Sequence, residues 1–235
     1  MPAIARPDQI LDIAARQFRL RGYAAVSMRD IATEAGMRTP SLYYHFAAKD
    51  DLVIAVMDRG IVVVREAVLA ALDTITSDAD HATRLATAMR AHLHALHGLS
   101  DYTSANVRIF GQLPEDLRRA NLPERRAYQT IWSGLLAPTC KADPAALPQR
   151  VAFVIGALNA TLEWVDPARL GLEALADHVV GILLGGLLTE AEQLTGAEQL
   201  TGAEQLTGAE QLTGAEQLTE AEQLTGAEQL TGAEQ

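Results

Sequence analysis

Signals for the start and end of short helices follow one another closely near the N-terminus, and they constrain the fold more than any other feature. Pro7 is typical of the first position of a helix, and Gly22 is typical of a helix end. Ser27 followed three residues later by Asp30 predicts a second start with a capping box. The sequence therefore predicts two helices separated by a few residues.

A third helix follows after a tight turn. Gly36 permits the turn, and Thr39 and Pro40 begin the next helix. Pro40 lies at a position where the missing backbone N–H costs nothing. Helix, helix, glycine-containing turn and short helix form the plan of a helix-turn-helix.

The rest of the chain up to residue 187 is also predicted to be helical. It shows no sustained alternation of apolar and polar residues, and only 5% of all residues are aromatic. The fold class is therefore predicted to be all-α. With prolines as breaks, the predicted helices cover residues 50–72, 80–99, 102–113, 115–137, 145–165 and 171–187.

Residues 188–235 form a low-complexity tail in which the hexad Leu-Thr-Gly-Ala-Glu-Gln recurs, with Glu in place of Gly at 190 and 220. Six residues advance a helix by about 600°, so the leucines spiral around it and form no stripe. A hexad period also occurs in β-helices, but Thr is the only β-branched residue here. We expect a tail that is disordered or weakly helical.

The net charge of −11 is concentrated in this tail, which contains ten Glu and no Lys or Arg. Basic residues outnumber acidic ones within residues 1–50, so the overall charge does not argue against nucleic-acid binding. The only cysteine, Cys140, excludes an internal disulfide and fits a reducing cytoplasm. The uncharged stretches at 151–162 and 178–189 are too short to span a bilayer, so we expect no membrane partner.

Residues 8–52 resemble the DNA-binding domain of the TetR/AcrR family of transcriptional regulators. The matching segments follow the family's order and spacing at residues 10–18, 21–23, 27–32, 35–36, 41–46 and 49–52. The resemblance implies a helix-turn-helix DNA-binding domain at 1–50 and a helical effector-binding and dimerisation domain at 51–187, followed by the repeat tail at 188–235.

The resemblance also implies that certain side chains contact operator DNA, which would be palindromic and read in the major groove. The implied contacts are Arg29, Arg38, Thr39, Pro40, Tyr43, His45 and Lys49. Thr39 and Pro40 begin the recognition helix, and Lys49 matches a phosphate-binding position. Arg38 departs from the Ser or Thr common in the family and removes a helix cap. Arg29 has the alternative of pairing with Asp30.

Two aromatic residues near these positions, Tyr44 and Phe46, are expected to belong to the core. Farther along the chain, the resemblance implies a pocket for a small, mostly apolar effector, although core packing is an alternative for each candidate. The candidates are His94, Tyr102, Phe110, Tyr128, Trp132 and Phe153. His92, His94 and His97 also raise a metal hypothesis, but no carboxylate or Cys nearby completes a site. We predict no metal and no cofactor.

The helices at 147–165 and 171–187 are strongly apolar and contain small residues such as Gly156 and Gly185. Such an apolar pair is costly to expose on a monomer, and by resemblance the two helices pair with their copies in a homodimer. The sequence thus predicts a cytoplasmic transcriptional regulator, most simply a repressor released by its effector. An enzyme lacks support, because no catalytic triad order or phosphate-binding loop is present. Activation instead of repression, and a helical interaction protein without DNA binding, are the alternatives.

Overall fold

The computed structural model describes residues 6–99, 101–141, 143–165 and 167–187, and within them it contains helices and no strand. The predicted repeat tail at 188–235 lies outside these residues. The N-terminal helices are α1 (Pro7–Arg21), α2 (Met28–Glu34) and α3 (Thr39–His45). They are followed by the 25-residue helix α4 (Lys49–Asp73).

The body of the protein continues with α5 (His81–His94), a π-helical turn (Ala95–Leu99) and α6 (Asp101–Phe110). Next come α7 (Glu115–Ala120), α8 (Leu122–Leu136) and α9 (Leu147–Trp164), with short 3₁₀ turns at Ala137–Cys140 and Pro144–Ala146. The described chain ends with α10 (Pro167–Leu170) and a helix, α11, over 172–187.

The predicted signals at the N-terminus determine the helix ends. Gly22 and Gly36 have φ values of 79° and 65°, a backbone region that glycine tolerates without strain. The backbone N–H of Asp30 donates to Ser27 Oγ, and the backbone N–H of Ser27 donates to the Asp30 carboxylate at 2.9 Å. The capping box is therefore confirmed.

One predicted helix is wrong, because residues 115–137 form two helices that meet at Asn121. Pro123 lies in the first turn of α8 and cannot donate a backbone hydrogen bond to the turn before it. Asn121 caps α7 through its own backbone N–H, which donates to the carbonyls of Leu117 and Arg119. The break gives α7 and α8 separate directions.

Two apolar clusters form the core. The N-terminal cluster contains Phe18, Ile31 and Leu42 from α1, α2 and α3, and it extends to Val56 of α4 and Ile109 of α6. The second cluster is formed by α4, α5, α8, α9 and α11. Helix α4 contributes to both clusters, so a displacement of α4 affects the packing of both.

Candidate nucleic-acid interface and effector cavity

Helix α3 presents most of its surface to solvent, because its seven residues include only one buried side chain, Leu42. Pro40 and Tyr43 are exposed, and Thr39 and His45 are half-buried. Arg38 precedes the helix with no side-chain capping hydrogen bond, and its guanidinium is exposed. Donors, acceptors and apolar groups are thus available on one short helix, as base-edge recognition requires.

The expectation that Tyr44 belongs to the core is wrong, because 87% of its surface is exposed. Residues 42 and 44 are about 200° apart around a helix, so burial of Leu42 directs Tyr44 outward. Its ring is perpendicular to that of His45, with the centroids 5.6 Å apart. Phe46 is half-buried and packs against the N-terminal cluster, as expected. Tyr44 therefore belongs to the candidate interface, although the sequence analysis did not include it there.

Arg29 lies exposed on α2. The alternative pairing with Asp30 is not formed as an ion pair. The Asp30 carboxylate accepts hydrogen bonds from Ser27 and lies 3.8 Å from the guanidinium of Arg21. These hydrogen bonds from Ser27 lower the pKa of Asp30, and the positive charges of Arg21 and Arg29 lower it further. Arg29 remains available at the surface beside α3.

Lys49 begins α4 and is half-buried. Its ammonium donates a hydrogen bond to the backbone carbonyl of Tyr23 at 2.5 Å and lies 3.9 Å from the centre of the Tyr23 ring. Burial lowers the pKa of Lys49. The residue thus ties the start of α4 to the segment between α1 and α2, while its predicted phosphate contact stays a prediction.

Polar contacts also tie α1 to α6. The hydroxyl of Tyr102 donates to the Asp12 carboxylate at 2.7 Å, and the guanidinium of Arg19 lies 2.5 Å from the Asp101 carboxylate. The backbone N–H of Tyr23 donates to the side-chain carbonyl of Gln112 at 3.0 Å. The helix-turn-helix is therefore connected to the body through both α4 and α6.

A cavity of about 60 Å³ lies among α4, α5, α6, α8 and α9. Its lining is mixed. The apolar residues are Gly60, Ile61, Val64, Val107 and Ile155, and the polar residues are His92, Thr103, Asn106, Arg125, Tyr128, Gln129 and Asn159. This volume holds about four waters. It is smaller than the roughly 300–1,000 Å³ of sites that bind drug-sized ligands.

His92 is the central buried polar group of the cavity wall. Its Nδ1 lies 2.8 Å from the Tyr128 hydroxyl, and its Nε2 lies 3.0 Å from Asn159 Oδ1. Because the amide oxygen only accepts, Nε2 carries the proton and Nδ1 accepts from the hydroxyl. Burial lowers the pKa of His92 to about 4. His92 is therefore a neutral imidazole at neutral pH.

Of the pocket residues predicted from the sequence, Tyr128 lines this cavity. Trp132 is fully buried behind it, with its ring centroid 6.1 Å from that of His92. Phe110 packs near the N-terminal cluster, where Arg125 stacks on its ring. Tyr102 is buried in that same cluster.

The two remaining predicted pocket residues do not line this cavity. Phe153 is 65% exposed on α9, and His94 pairs with the Glu173 carboxylate at 3.3 Å. His92, and not His94, lines the cavity, because the buried side of α5 consists of residues 85, 88, 89, 92 and 93. That apolar stripe, spaced by three and four residues, was the sequence signal that pointed to His92.

The three nearby histidines do not converge on one point. His92 contacts Tyr128 and Asn159, His94 contacts Glu173, and His97 lies 2.8 Å from the Thr161 hydroxyl. Among the described residues, no group of three or more His, Cys, Asp or Glu side chains is placed to hold a metal ion.

Helices α9 and α11 expose apolar side chains on their outer faces. Phe153, Trp164 and Ile182 are each more than 60% exposed. Ideal Cβ atoms built on Gly156 and Gly185 would meet no atom within 4 Å. The stretch Pro144–Trp164 is long and apolar enough to cross a membrane, judged by length and composition alone. Of its most apolar 18 residues, 22% are buried inside the protein. An exposed apolar face of this kind also suits association with another protein.

An exposed short helix after a glycine turn, connected through α4 and α6 to a helical body that contains a cavity, is the arrangement of a helix-turn-helix DNA-binding protein. Two family models agree. The model described as bacterial regulatory proteins, tetR family, matches residues 10–56. The model described as tetracyclin repressor-like, C-terminal domain, matches residues 78–187.

Individual proteins give the same result. The HTH-type transcriptional repressor KstR2 of Rhodococcus jostii (strain RHA1) is 40% identical over 204 residues, which cover 77% of this chain and 91% of the relative. KstR2 of Mycolicibacterium smegmatis is 25% identical over 186 residues, covering 78% and 91%. The crystal structure of AibR in complex with isovaleryl coenzyme A and operator DNA has a TM-score of 0.67 and 26% identity, covering 76% and 97%.

The chain belongs to the TetR family of bacterial regulatory proteins. It is a DNA-binding transcriptional repressor of the kind regulated by small-molecule effectors.

Proposed function

We propose that this repressor acts in the cytoplasm as a homodimer whose two copies of α3 bind the halves of a palindromic operator. An effector that binds in the cavity releases the repressor from this operator. The observation that carries the proposal is the outward surface of α3, which buries only Leu42 and leaves Tyr43 and Tyr44 to solvent. Side chains on such a surface can reach base edges once the helix enters the major groove.

The exposed faces of α9 and α11 support the homodimer. Phe153, Trp164 and Ile182 place large apolar surfaces in water, which costs roughly 25 cal/mol per Å². The open space beside Gly156 and Gly185 permits the close approach of a second helix. A two-fold dimer through these faces covers the apolar surface of both protomers at once.

The position of α4 supports a mechanism of release. Gly60, Ile61 and Val64 of α4 line the cavity, and the same helix begins at Lys49 beside the helix-turn-helix. Because the cavity holds only about four waters, a larger effector must widen it. A displaced α4 would carry the helix-turn-helix with it. The two copies of α3 would then no longer match the spacing of about 34–36 Å between half-sites.

Selection of bound sequences from random double-stranded DNA tests the operator proposal. Wild-type protein is expected to select a pseudo-palindrome whose half-sites lie one helical turn apart. Thr39→Ala should change the preferred base at a symmetric pair of positions, because a hydroxyl that can hydrogen-bond a base edge is lost.

Thr130→Ala serves as the matched control, since Thr130 is exposed on α8 and its hydroxyl donates to the Arg126 carbonyl within the same helix. The control should select the wild-type sequence. Recovery of no enriched sequence, or enrichment of the same sequence by wild-type and Thr39→Ala protein, would contradict the assigned interface.

A further inference from the structure

Arg125 is a cation without an anionic partner on the wall of the cavity. Its Nη2 donates to Asn106 Oδ1 at 2.6 Å, and its Nε donates to Asn121 Oδ1 at 2.8 Å. Its Cζ lies 3.6 Å from the centre of the Phe110 ring. All three partners are neutral. In the described part of the chain, no carboxylate lies within ion-pair distance of this guanidinium.

The nearest acidic residues already have other partners. Glu124, the residue before Arg125, accepts from Arg65 at 2.7 Å. Asp58 accepts from the side-chain amide of Asn121 at 2.7 Å, so that amide separates it from Arg125. Burial lowers the pKa of Arg125 to about 10, which agrees with a positive charge removed from water and left uncompensated. A guanidinium in this setting binds an anion strongly.

The remaining donors of Arg125 suit a carboxylate. A guanidinium has five N–H groups arranged as a fork, and the described residues accept from Nε and Nη2 only. Two oxygens of a carboxylate or phosphate match that fork, which a neutral amide or alcohol does not. The apolar residues Ile61, Val64 and Ile155 line the same cavity and suit a short alkyl group.

We propose that the effector carries a carboxylate or a phosphate that Arg125 binds in this cavity, attached to a short alkyl group that packs on its apolar wall. This inference rests on the proposed role of the cavity as the effector site. A space for about four waters holds roughly four non-hydrogen atoms, so even an acid the size of butyrate must widen the cavity.

Anion binding at Arg125 would also affect α4, through hydrogen bonds of Asn106. Asn106, which accepts from Arg125, donates through its own amide to the buried backbone carbonyl of Met57 at 2.7 Å. A carboxylate bound to the remaining N–H groups draws the guanidinium toward itself, which strains the hydrogen bond to Asn106 Oδ1 and, through Asn106, its contact with α4. The ligand's charge is thereby connected to the helix that holds the helix-turn-helix.

The test titrates full-length wild-type protein with butyrate, monobutyl phosphate and neutral butyramide, three probes that each carry an alkyl chain of three or four carbons. Binding is measured by NMR chemical-shift changes and by release of the selected operator. Butyrate or monobutyl phosphate should bind at least about tenfold more tightly than butyramide, because a charge-assisted hydrogen bond is lost in the amide. The tighter of the two acids identifies which anion the site takes.

Variants at Arg125 separate charge from fold. Arg125→Gln should lose about tenfold or more of the affinity for the acid, and Arg125→Lys should retain part of it as a point charge. Arg126→Gln is the matched control, because Arg126 is the next residue of α8 and is exposed to solvent. It should bind the acid as wild-type protein does, and circular dichroism should show that all three variants are folded.

Several outcomes would overturn the inference. They are equal binding of butyramide and the acids, unchanged affinity of both Arg125 variants, and no binding of either acid at millimolar concentration. If the acids release the operator equally well from wild-type and Arg125→Gln protein, the effector cavity stands and the anion proposal fails. If wild-type protein selects no operator at all, the proposed function itself fails.

Discussion

A Cβ atom on Gly60 would lie 2.6 Å from the carbonyl oxygen of Tyr102 and 2.9 Å from Cβ of Asn106. Helices α4 and α6 therefore meet with almost no side chain between them at this point. Because α6 is also tied to α1 through Tyr102 and Asp12, this contact sets the position of α4 relative to the helix-turn-helix.

We predict that Gly60→Ala lowers the free energy of unfolding by about 1–3 kcal/mol, because the added methyl group must push α4 and α6 apart. Chemical denaturation measures the change. Gly134→Ala in α8 is the control, since its Cβ would meet no atom within 4 Å, and alanine should raise helix stability by up to about 1 kcal/mol. Equal stability of Gly60→Ala and wild-type protein would show that the close contact is absent in solution.

His92 predicts a loss of stability in mild acid. Burial lowers its pKa to about 4 in the folded protein, whereas an unfolded histidine titrates near about 6.5. The unfolded state then binds more protons between these values, so stability falls as the pH falls through this window. The expected contribution is about 2 kcal/mol between about pH 7 and about pH 5.

Comparison with His92→Gln isolates this effect. Burial also lowers the pKa values of His81 and His97, and both residues are present in both proteins, so their contributions cancel in the difference. The difference in unfolding free energy between wild-type and His92→Gln protein should therefore shrink as the pH is lowered. A difference independent of pH would mean that His92 titrates normally in the folded protein.

The apolar faces of α9 and α11 predict the effect of a charge on assembly. Gly156→Arg should shift the protein from dimer toward monomer or aggregate, because a charged side chain would replace the gap that admits the partner helix. Light scattering with size-exclusion chromatography measures the mass. Gly134→Arg, on the exposed side of α8, should leave the mass unchanged, and a monomeric mass for wild-type protein at micromolar concentration would refute the proposed dimer.

Local signals explain which parts of the fold could be predicted. The capping box of Ser27 and Asp30 and the turn at Gly36 depend on neighbouring residues only, so the first three helices follow from the sequence. Asn121 was harder, since the long pattern at 115–137 looks continuous until Pro123 is placed in the first turn of a new helix.

The cavity depended on tertiary packing and was predicted less well. Residue type alone does not distinguish His94 from His92, whereas the packing of α5 against α8 and α9 buries His92. Arg125 was not predicted, because its significance lies in neutral partners from α6 and α7–α8 that are distant or inconspicuous in the sequence. Tyr44 was misplaced because aromatic character was taken as a sign of burial, and its position opposite Leu42 decides otherwise.

The salt dependence of operator binding tests the central claim, that the surface around α3 binds DNA, most directly. The logarithm of the observed association constant should fall linearly with the logarithm of salt concentration. For Arg38→Gln the slope should be smaller by about one unit, because one phosphate contact contributes about 0.9. Arg119→Gln makes the same charge change on α7, where Arg119 pairs with Glu115, and it should leave the slope unchanged. If Arg38→Gln and Arg119→Gln give the wild-type slope and affinity alike, Arg38 makes no contact with the operator and the assigned interface is wrong.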